Sequence, residues 1–328
     1  MTQQHLIPVS IVTGFLGSGK TTLISRLLRD PAFSRTAVIV NEFGDIALDH
    51  DLIASSDDSV LTLSTGCLCC AVQTDLARTL MSLCDRRAAY DRLLIETSGL
   101  ADPVPMVQSM MTDGDVSGTH ASPSIVTLVD TMHGEETLRQ HTVARTQVAV
   151  ADRLLISKTD LRAPPAALLA RLEELNPSVP RMTTLESDIF ALFSPPAVDA
   201  LAHRASRARR PGVHSEIGTF TVTRDRPLPA LALTLLLEAI AEHCGSRLLR
   251  LKGLVAIEEM PGQPAVIHGV RHVVSPPHFL DRWPSADETS RMVFIVKGVP
   301  RFFVSRLLDA IEEEVRQAQQ LARNGPAS

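Results

Sequence analysis

The first half of the chain alternates short apolar runs with stretches of helical period. "LIPVSIVTG" (6–14) leads through a glycine-rich turn into "TTLISRLLRD" (21–30), where Leu23, Ile24, Leu27 and Leu28 recur on one helical face before Pro31. A proline stops a helix, so this pattern predicts a strand, a turn and a helix that ends before residue 31. "TAVIVNEFG", "RLLIETSG", "SIVTLVD" and "DRLLISKTD" are further apolar runs. They are continuous rather than alternating, as strands buried on both faces require. Helices are expected between them, at roughly Gln73–Cys84, Pro103–Thr112 and Glu135–Val150. Such alternation implies βαβ units: an α/β domain with a mostly parallel sheet and helices on both faces.

The pattern changes near residue 190. "SPPAVDALAHRASRARRPGVHS" (194–215) has no strong period and reads as a linker. Beyond it, "EIGTFTVT" predicts a strand and "LPALALTLLLEAIAEHC" a helix. "RLLRLKGLVAIEE" and "PAVIHGVRHVV" predict a hairpin around "MPGQ". "RMVFIVKGV" predicts a further strand. "FFVSRLLDAIEEEVRQAQ" predicts an amphipathic helix with Val304, Leu307, Leu308, Ile311 and Val315 on one side. The expected organisation is a P-loop domain over 1–190, a linker over 191–215 and a smaller α+β domain over 216–328.

Composition narrows the function classes. The 328 residues are 45% apolar and 21% charged, an ordinary globular balance. A net charge of −5, with one Trp and one Tyr, gives no support for nucleic-acid binding. The N-terminus lacks the basic, apolar and cleavage segments of a signal peptide. No run reaches the roughly 18 apolar residues of a membrane span. Five cysteines without disulfide-like spacing fit a reduced, cytoplasmic protein with neither membrane nor nucleic-acid partners.

"GFLGSGKT" (14–21) matches the full phosphate-loop pattern between a predicted strand and helix. Gly14, Gly17 and Gly19 let the backbone curl its N–H groups toward a phosphate. Ser18 and Thr22 lie in the same nucleotide-binding segment. The helix start adds its positive end, Lys20 reaches the β- and γ-phosphates, and the Thr21 hydroxyl ligates Mg²⁺. Lys158 and Asp160 in "SKTD" resemble the N-K-x-D element that reads guanine, with Ser157 in the place of Asn. An aspartate there accepts from guanine N1 and N2, a donor pair that adenine lacks. Glu96, ending "RLLIE", is expected beside Mg²⁺ or the attacking water, with the Gly99 N–H near the γ-phosphate. Lys20, Glu96 and Gly99 are the catalytic candidates.

"STGCLCCAVQ" (64–73) places Cys67, Cys69 and Cys70 within four positions. A metal site, a redox pair and core packing are all open from the residues alone. Cys67 and Cys70 satisfy C-x-x-C, and an iron–sulfur cluster would need a fourth ligand. Three thiolates suit Zn²⁺ and leave one tetrahedral position open. Cys70 is either a third ligand or a support. Glu42, just after the second strand, is a candidate additional ligand or a Mg²⁺-side residue. Cys84 and Cys244 fall in apolar helical patterns and are expected in the core. His268 and His272 are expected on one strand face with Val266, Val270 and Val274.

"TGFLGSGKTTL", "VNEFGDIALD", "GCLCC", "IETSGLADP" and "SKTD", with "RLLRLKG", "IHGVRHVV" and "MVFIVKG" later on, resemble the CobW-type metallochaperone GTPases, relatives of UreG and HypB. The resemblance spans about Val9 to Leu308. It implies slow GTP hydrolysis coupled to holding a transition metal, commonly zinc and in some members cobalt, and delivering it to a client metalloprotein. A nucleotide-dependent homodimer is implied by analogy with the related GTPases. An alternative is a nucleotide-regulated maturation partner of one metalloenzyme, with hydrolysis as a timer. A small-molecule kinase would leave the three cysteines unexplained. Two departures stand out. Ser157 replaces the commoner Asn, and the long His-rich loop of many members is missing. Only His203 and His214 lie in the linker, which shifts the metal-holding burden to the cysteines.

Overall fold

Val9–Gly14 (β1) is buried at every position, as its unbroken apolar run requires. It is the centre from which the first unit, Met1–Pro196, is built. The computed structural model describes residues 6–42, 60–64, 79–80, 82–83, 88–177, 179–184, 192–193 and 217–324. After β1 come Lys20–Leu28 (α1), Thr36–Glu42 (β2), Val60–Ser64 (β3) and Arg92–Glu96 (β4). Val104–Thr112 (α2), Gly114–Thr119 (α3), Ser124–Asp130 (β5), Gly134–Gln140 (α4) and Thr142–Ala149 (α5) follow. Arg153–Ser157 (β6), Ala166–Leu175 (α6) and Arg181–Thr183 (β7) complete the unit.

The sheet order is β3-β2-β4-β1-β5-β6-β7, and every pairing is parallel. The α/β expectation is met. Side chains alternate across the sheet. On one face Val12, Val38, Leu94, Val126 and Leu155 pack with Leu23, Ile24 and Leu27 of α1. On the other, Val129, Leu154 and Ile156 pack with Leu138 of α4, Val148 of α5 and Leu168 and Leu172 of α6. The chain leaves β1 to one side for β2 and β3, returns for β4, then continues on the far side with β5 and β6. The C-terminal ends of β4, β1, β5 and β6 therefore lie at a topological switch point, where open α/β sheets bind ligands.

One expected helix is two. The Glu135–Val150 pattern breaks at His141, which is extended (φ −114°, ψ 116°) between α4 and α5. Its ring stacks on Phe15 at 4.4 Å. Arg145 Nη1 donates to the Leu138 and Arg139 carbonyls, taking over partners that a continuous helix would supply. The tertiary contact overrides the local period. Of the expected helix Gln73–Cys84 only residues 79–80 and 82–83 are described, and these are helical; the cysteine at 84 and the linker stretch 194–215 lie outside the described residues.

The second unit, Ala197–Ser328, contains Ile217–Arg224 (β8), Ala230–Cys244 (α7), Leu248–Val255 (β9), Ala265–Val270 (β10), Val273–Val274 (β11), His278–Phe279 (β12), Ser290–Lys297 (β13) and Arg301–Asn324 (α8). Its sheet runs β11-β10-β9-β13-β8, with β12 on β10, and all pairings are antiparallel. Phe220, Val222, Leu251, Ile267, Met292 and Phe294 pack with α7 and with Val304 and Leu308 of α8. Cys244 joins this core, as expected. Arg224 Nε donates to Glu312 Oε2 at 2.7 Å, tying α8 to β8.

The run "PAVIHGVRHVV" is not one strand. Arg271 adopts φ 52°, and Val270 pairs with Val273 across a two-residue reversal. His268 stays on β10 and stacks on His278 at 6.3 Å. His272 sits in the turn, so the two histidines do not share a strand face. Among the described residues, no helix is long and apolar enough to cross a membrane.

A buried histidine gives the first unit a pH dependence. His120 is 2% exposed, with Nε2 at 2.9 Å from the Tyr90 hydroxyl and Nδ1 at 2.8 Å from Thr119 Oγ1. Burial pushes its pKa below the ordinary value, against a smaller opposing effect of the backbone hydrogen bond with Val116. The folded state therefore binds fewer protons than the unfolded state in the window just below pH 6.5 or so. This contribution to stability is full above that pH and is lost as the pH falls through the lowered folded-state pKa. Urea unfolding from pH 8 to pH 5 is expected to show that decline. His120→Gln should flatten the slope while lowering stability throughout.

Candidate functional site

The turn from β1 into α1 is shaped by glycine. Gly14 has φ 142°, and Gly17 and Gly19 also take positive φ. A Cβ on Gly14 would stand 2.4 Å from the Leu128 carbonyl oxygen and 2.7 Å from Ser18 Oγ, so β1 and β5 admit only glycine there. Ser18 N donates to the Phe15 carbonyl at 3.1 Å, closing the loop. α1 has no side-chain cap, so its first N–H groups and the positive end of its dipole are available to an anion.

Lys20 is 6% exposed. Its ammonium folds back over the loop, donating to Gly14 O at 3.1 Å and Phe15 O at 3.4 Å. Thr21 Oγ1 donates to Glu96 Oε1 at 2.8 Å, joining the first turn of α1 to the end of β4. Glu96 is fully buried, and a carboxylate there needs compensating donors or a cation. Thr22 is exposed, on the outer side of the first turn.

The segment after Glu96 returns to the phosphate loop. Thr97 N donates to Val12 O at 3.0 Å, and Thr97 Oγ1 to Thr13 Oγ1 at 2.8 Å. Ala101 N donates to Ser98 O at 3.0 Å, closing a turn. A Cβ on Gly99 would lie 2.6 Å from Leu16 N and 2.8 Å from Leu16 Cα. No other residue lets these two backbones approach so closely.

The end of β6 forms the third side. Ser157 Oγ donates to the Ser18 carbonyl at 2.7 Å, both residues being buried. A short hydroxyl thus ties this strand end directly to the phosphate loop, the steadying task expected of Asn. Lys158 takes φ 59°, and its ammonium pairs with Asp130 Oδ2 at 3.2 Å. Asp130 Oδ1 accepts from Met132 N at 2.8 Å and His133 N at 2.7 Å, so the same carboxylate orders the loop after β5. Asp160 is exposed in the turn that follows. Thr159 and Thr184 hydroxyls meet at 3.1 Å, and Arg26 Nη1 donates to Thr184 O at 3.2 Å.

Sequence reasoning missed Asp130, the Thr13–Thr97 pair and Thr184. Asp130 carries the same signal as Glu96, a carboxylate ending an apolar run. The other two carry none.

Cys67, Cys69 and Cys70 lie outside the described residues. The backbone of Glu42 ends β2 in register with Ser64, the last residue of β3. Two residues earlier on β2, Val40 pairs with Glu96. The strand ends carrying Glu42, Ser64 and Glu96 thus sit side by side. Among the described residues, no group of three or more His, Cys, Asp or Glu side chains could hold a metal.

The family model for the CobW/HypB/UreG nucleotide-binding domain matches residues 8–184, and that for the cobalamin synthesis protein cobW C-terminal domain matches 217–312. The zinc chaperone YjiA of Escherichia coli K12 is 31% identical, covering 95% of this chain and 97% of its own length. The zinc chaperone CobW of Pseudomonas aeruginosa is 30% identical, with 89% of this chain and 87% of the relative covered. The crystal structure of Zn(II)-bound YjiA GTPase from E. coli has a TM-score of 0.66 at 26% identity, over 93% of this chain and 99% of that one. A Zn(II)-bound YjiA variant with one glutamate and two adjacent cysteines changed to alanine gives 0.67 at 26% identity, over 94% and 99%. The chain belongs to the CobW branch of the CobW/HypB/UreG family, a nucleotide-binding domain followed by a cobW C-terminal domain.

Proposed function

We propose that this protein is a GTP-hydrolysing metallochaperone that holds a zinc ion and delivers it to a client metalloprotein as its nucleotide state changes. The observation that carries this reading is the convergence of Lys20, Thr21, Glu96 and Gly99 on one phosphate loop, with Glu42 in register with Ser64 one strand away. Cys67 follows Ser64 by three residues.

In this reading the N–H groups of Gly17, Gly19 and Thr22 and the start of α1 bind the β- and γ-phosphates, on a loop that Gly14 and Ser18 shape. Lys20 exchanges its two carbonyl acceptors for phosphate oxygens. Thr21 Oγ1 and Glu96 are oxygen donors held together at 2.8 Å, a set that suits Mg²⁺, whose bound charge would offset that developing on the phosphoryl oxygens. Glu96 orients the attacking water, and the Gly99 N–H faces the γ-phosphate. Asp160 accepts from guanine N1 and N2, on a loop that Lys158 braces through Asp130.

Zinc is the cargo. Cys67 and Cys69 supply thiolates, with Cys70 and Glu42 completing or supporting the shell, and a shell with an open position suits release. Relatives named zinc chaperones and the Zn(II)-bound YjiA GTPase support the choice of metal. Cobalt is the second candidate cargo, since a thiolate site accepts several metals. A client metalloprotein and a nucleotide-dependent homodimer are the partners this reading carries.

Phosphate release with GTP or ATP, each with and without Zn²⁺, tests the reading. GTP turnover that responds to Zn²⁺, with little ATP turnover, is expected. Lys20→Ala should reduce it by about a hundredfold or more, the scale of losing one electrostatic donor in a catalytic site. Equal use of ATP and GTP contradicts the guanine assignment.

Ser157→Ala tests the third wall of the site. It leaves the buried Ser18 carbonyl without this donor, at a cost of about 1–3 kcal/mol. Affinity for GDP and for a non-hydrolysable GTP analogue should weaken together, by about tenfold. Unchanged affinity for both would show that the hydroxyl does not brace the loop.

A further inference from the structure

Gln147 lies on α5 and is 1% exposed, yet nothing in the phosphate or guanine machinery calls for it. Its Nε2 donates to Gly99 O at 3.2 Å and to Ala101 O at 3.0 Å. Both amide protons are thus committed to the loop that follows Glu96. These carbonyls flank Leu100 within the turn closed by Ala101 N and Ser98 O. Because each peptide is planar and trans, fixing the two carbonyls fixes the peptide planes before Leu100 and after Ala101.

The helix that presents Gln147 is itself anchored. The Gln147 carbonyl accepts from Thr127 Oγ1 on β5 at 2.8 Å. Asn176, 3% exposed, donates to Val148 O, Ala149 O and Ala151 O at 3.1, 2.8 and 3.1 Å. The end of α5 is therefore a fixed reference against which the Gly99 loop is held.

The other end of the amide faces the phosphate loop. Gln147 Oε1 and Ser18 Oγ are both buried, and neither makes a hydrogen bond among the described residues. Both residues line one cleft, along with Phe15, Leu16, Thr127 and Asp130. Buried polar atoms of this kind are normally satisfied.

We propose that Gln147 is a positioning residue for GTP hydrolysis. It holds the Gly99 loop against Leu16 of the phosphate loop, and so favours GTP over GDP and supports turnover. This rests on the GTPase reading above. A side chain that fixes the γ-phosphate-facing loop acts on the triphosphate state and on the transition state. It has no reason to alter diphosphate binding, which depends on the phosphate loop and the guanine site.

The test uses the full chain with Gln147→Met, close in length but without donors, and Gln147→Glu, close in shape but with its oxygens facing two carbonyls. Turnover, KM, melting temperature and the affinities for GDP and a non-hydrolysable GTP analogue are measured for each. With both variants, kcat should fall by about tenfold or more and the analogue-to-GDP affinity ratio by about tenfold, the scale of two lost hydrogen bonds. GDP affinity should stay within about threefold of wild type. An unchanged kcat and ratio overturn the proposal. So does a parallel loss of both nucleotides that tracks a lowered melting temperature, which is the mark of a structural role alone. Should one variant fail to fold, the other decides. Wild-type protein that neither binds nor hydrolyses GTP would instead overturn the GTPase reading.

Discussion

The backbones of Gly99 and Leu16 touch where a single added carbon would stand 2.6 Å from Leu16 N, and the rest of the candidate site depends on that contact. It makes the end of β4 and the phosphate loop into one packed object. Glu96 and Thr21, at the two ends of that object, are joined at 2.8 Å. Packed elements of this kind do not deform continuously; they shift between discrete arrangements. Strand β4 in turn pairs with β2, which ends in Glu42.

The same loop is gripped from the other side. Leu128 O excludes any side chain from Gly14, and Ser157 Oγ holds the Ser18 carbonyl. Strands β4, β5 and β6 thus each contribute one contact to the eight-residue loop (14–21) that continues from β1. The parallel sheet aligns those contacts, because its register sets the strand ends level: Val12 with Glu96, Gly14 with Leu128, Asp130 with Ser157. Lys20 and Glu96 are both buried, and carbonyl and hydroxyl partners meet Lys20 Nζ and Glu96 Oε1 within the same assembly.

The parts of this that were legible in the sequence are those that local chemistry dictates. Strands β1, β2, β4, β5 and β6 announce themselves by unbroken apolar runs, and the phosphate loop by its glycines. "VLTLS" and "RMT" are too short and mixed to separate from loop, so β3 and β7 were missed, as was α6. The break at His141 depends on Phe15, more than a hundred residues earlier. The reversal at Arg271 requires a positive φ that no glycine signals. Gln147 looks like any polar helix residue, since its burial follows from the return of the Gly99 loop. Ser157 looked like a weakened motif, yet its shorter side chain reaches the Ser18 carbonyl directly.

In the proposed function, nucleotide state and metal affinity are coupled through adjacent strand ends. Coupling between two sites is reciprocal, so it must appear as a difference in binding free energy. Competition titration of Zn²⁺ against a chelator, with the protein saturated by GDP or by a non-hydrolysable GTP analogue, measures it directly. Zn²⁺ affinities that differ by about tenfold or more, with a matching shift in nucleotide affinity when Zn²⁺ is bound, are predicted. Equal Zn²⁺ affinity in both nucleotide states would contradict the account.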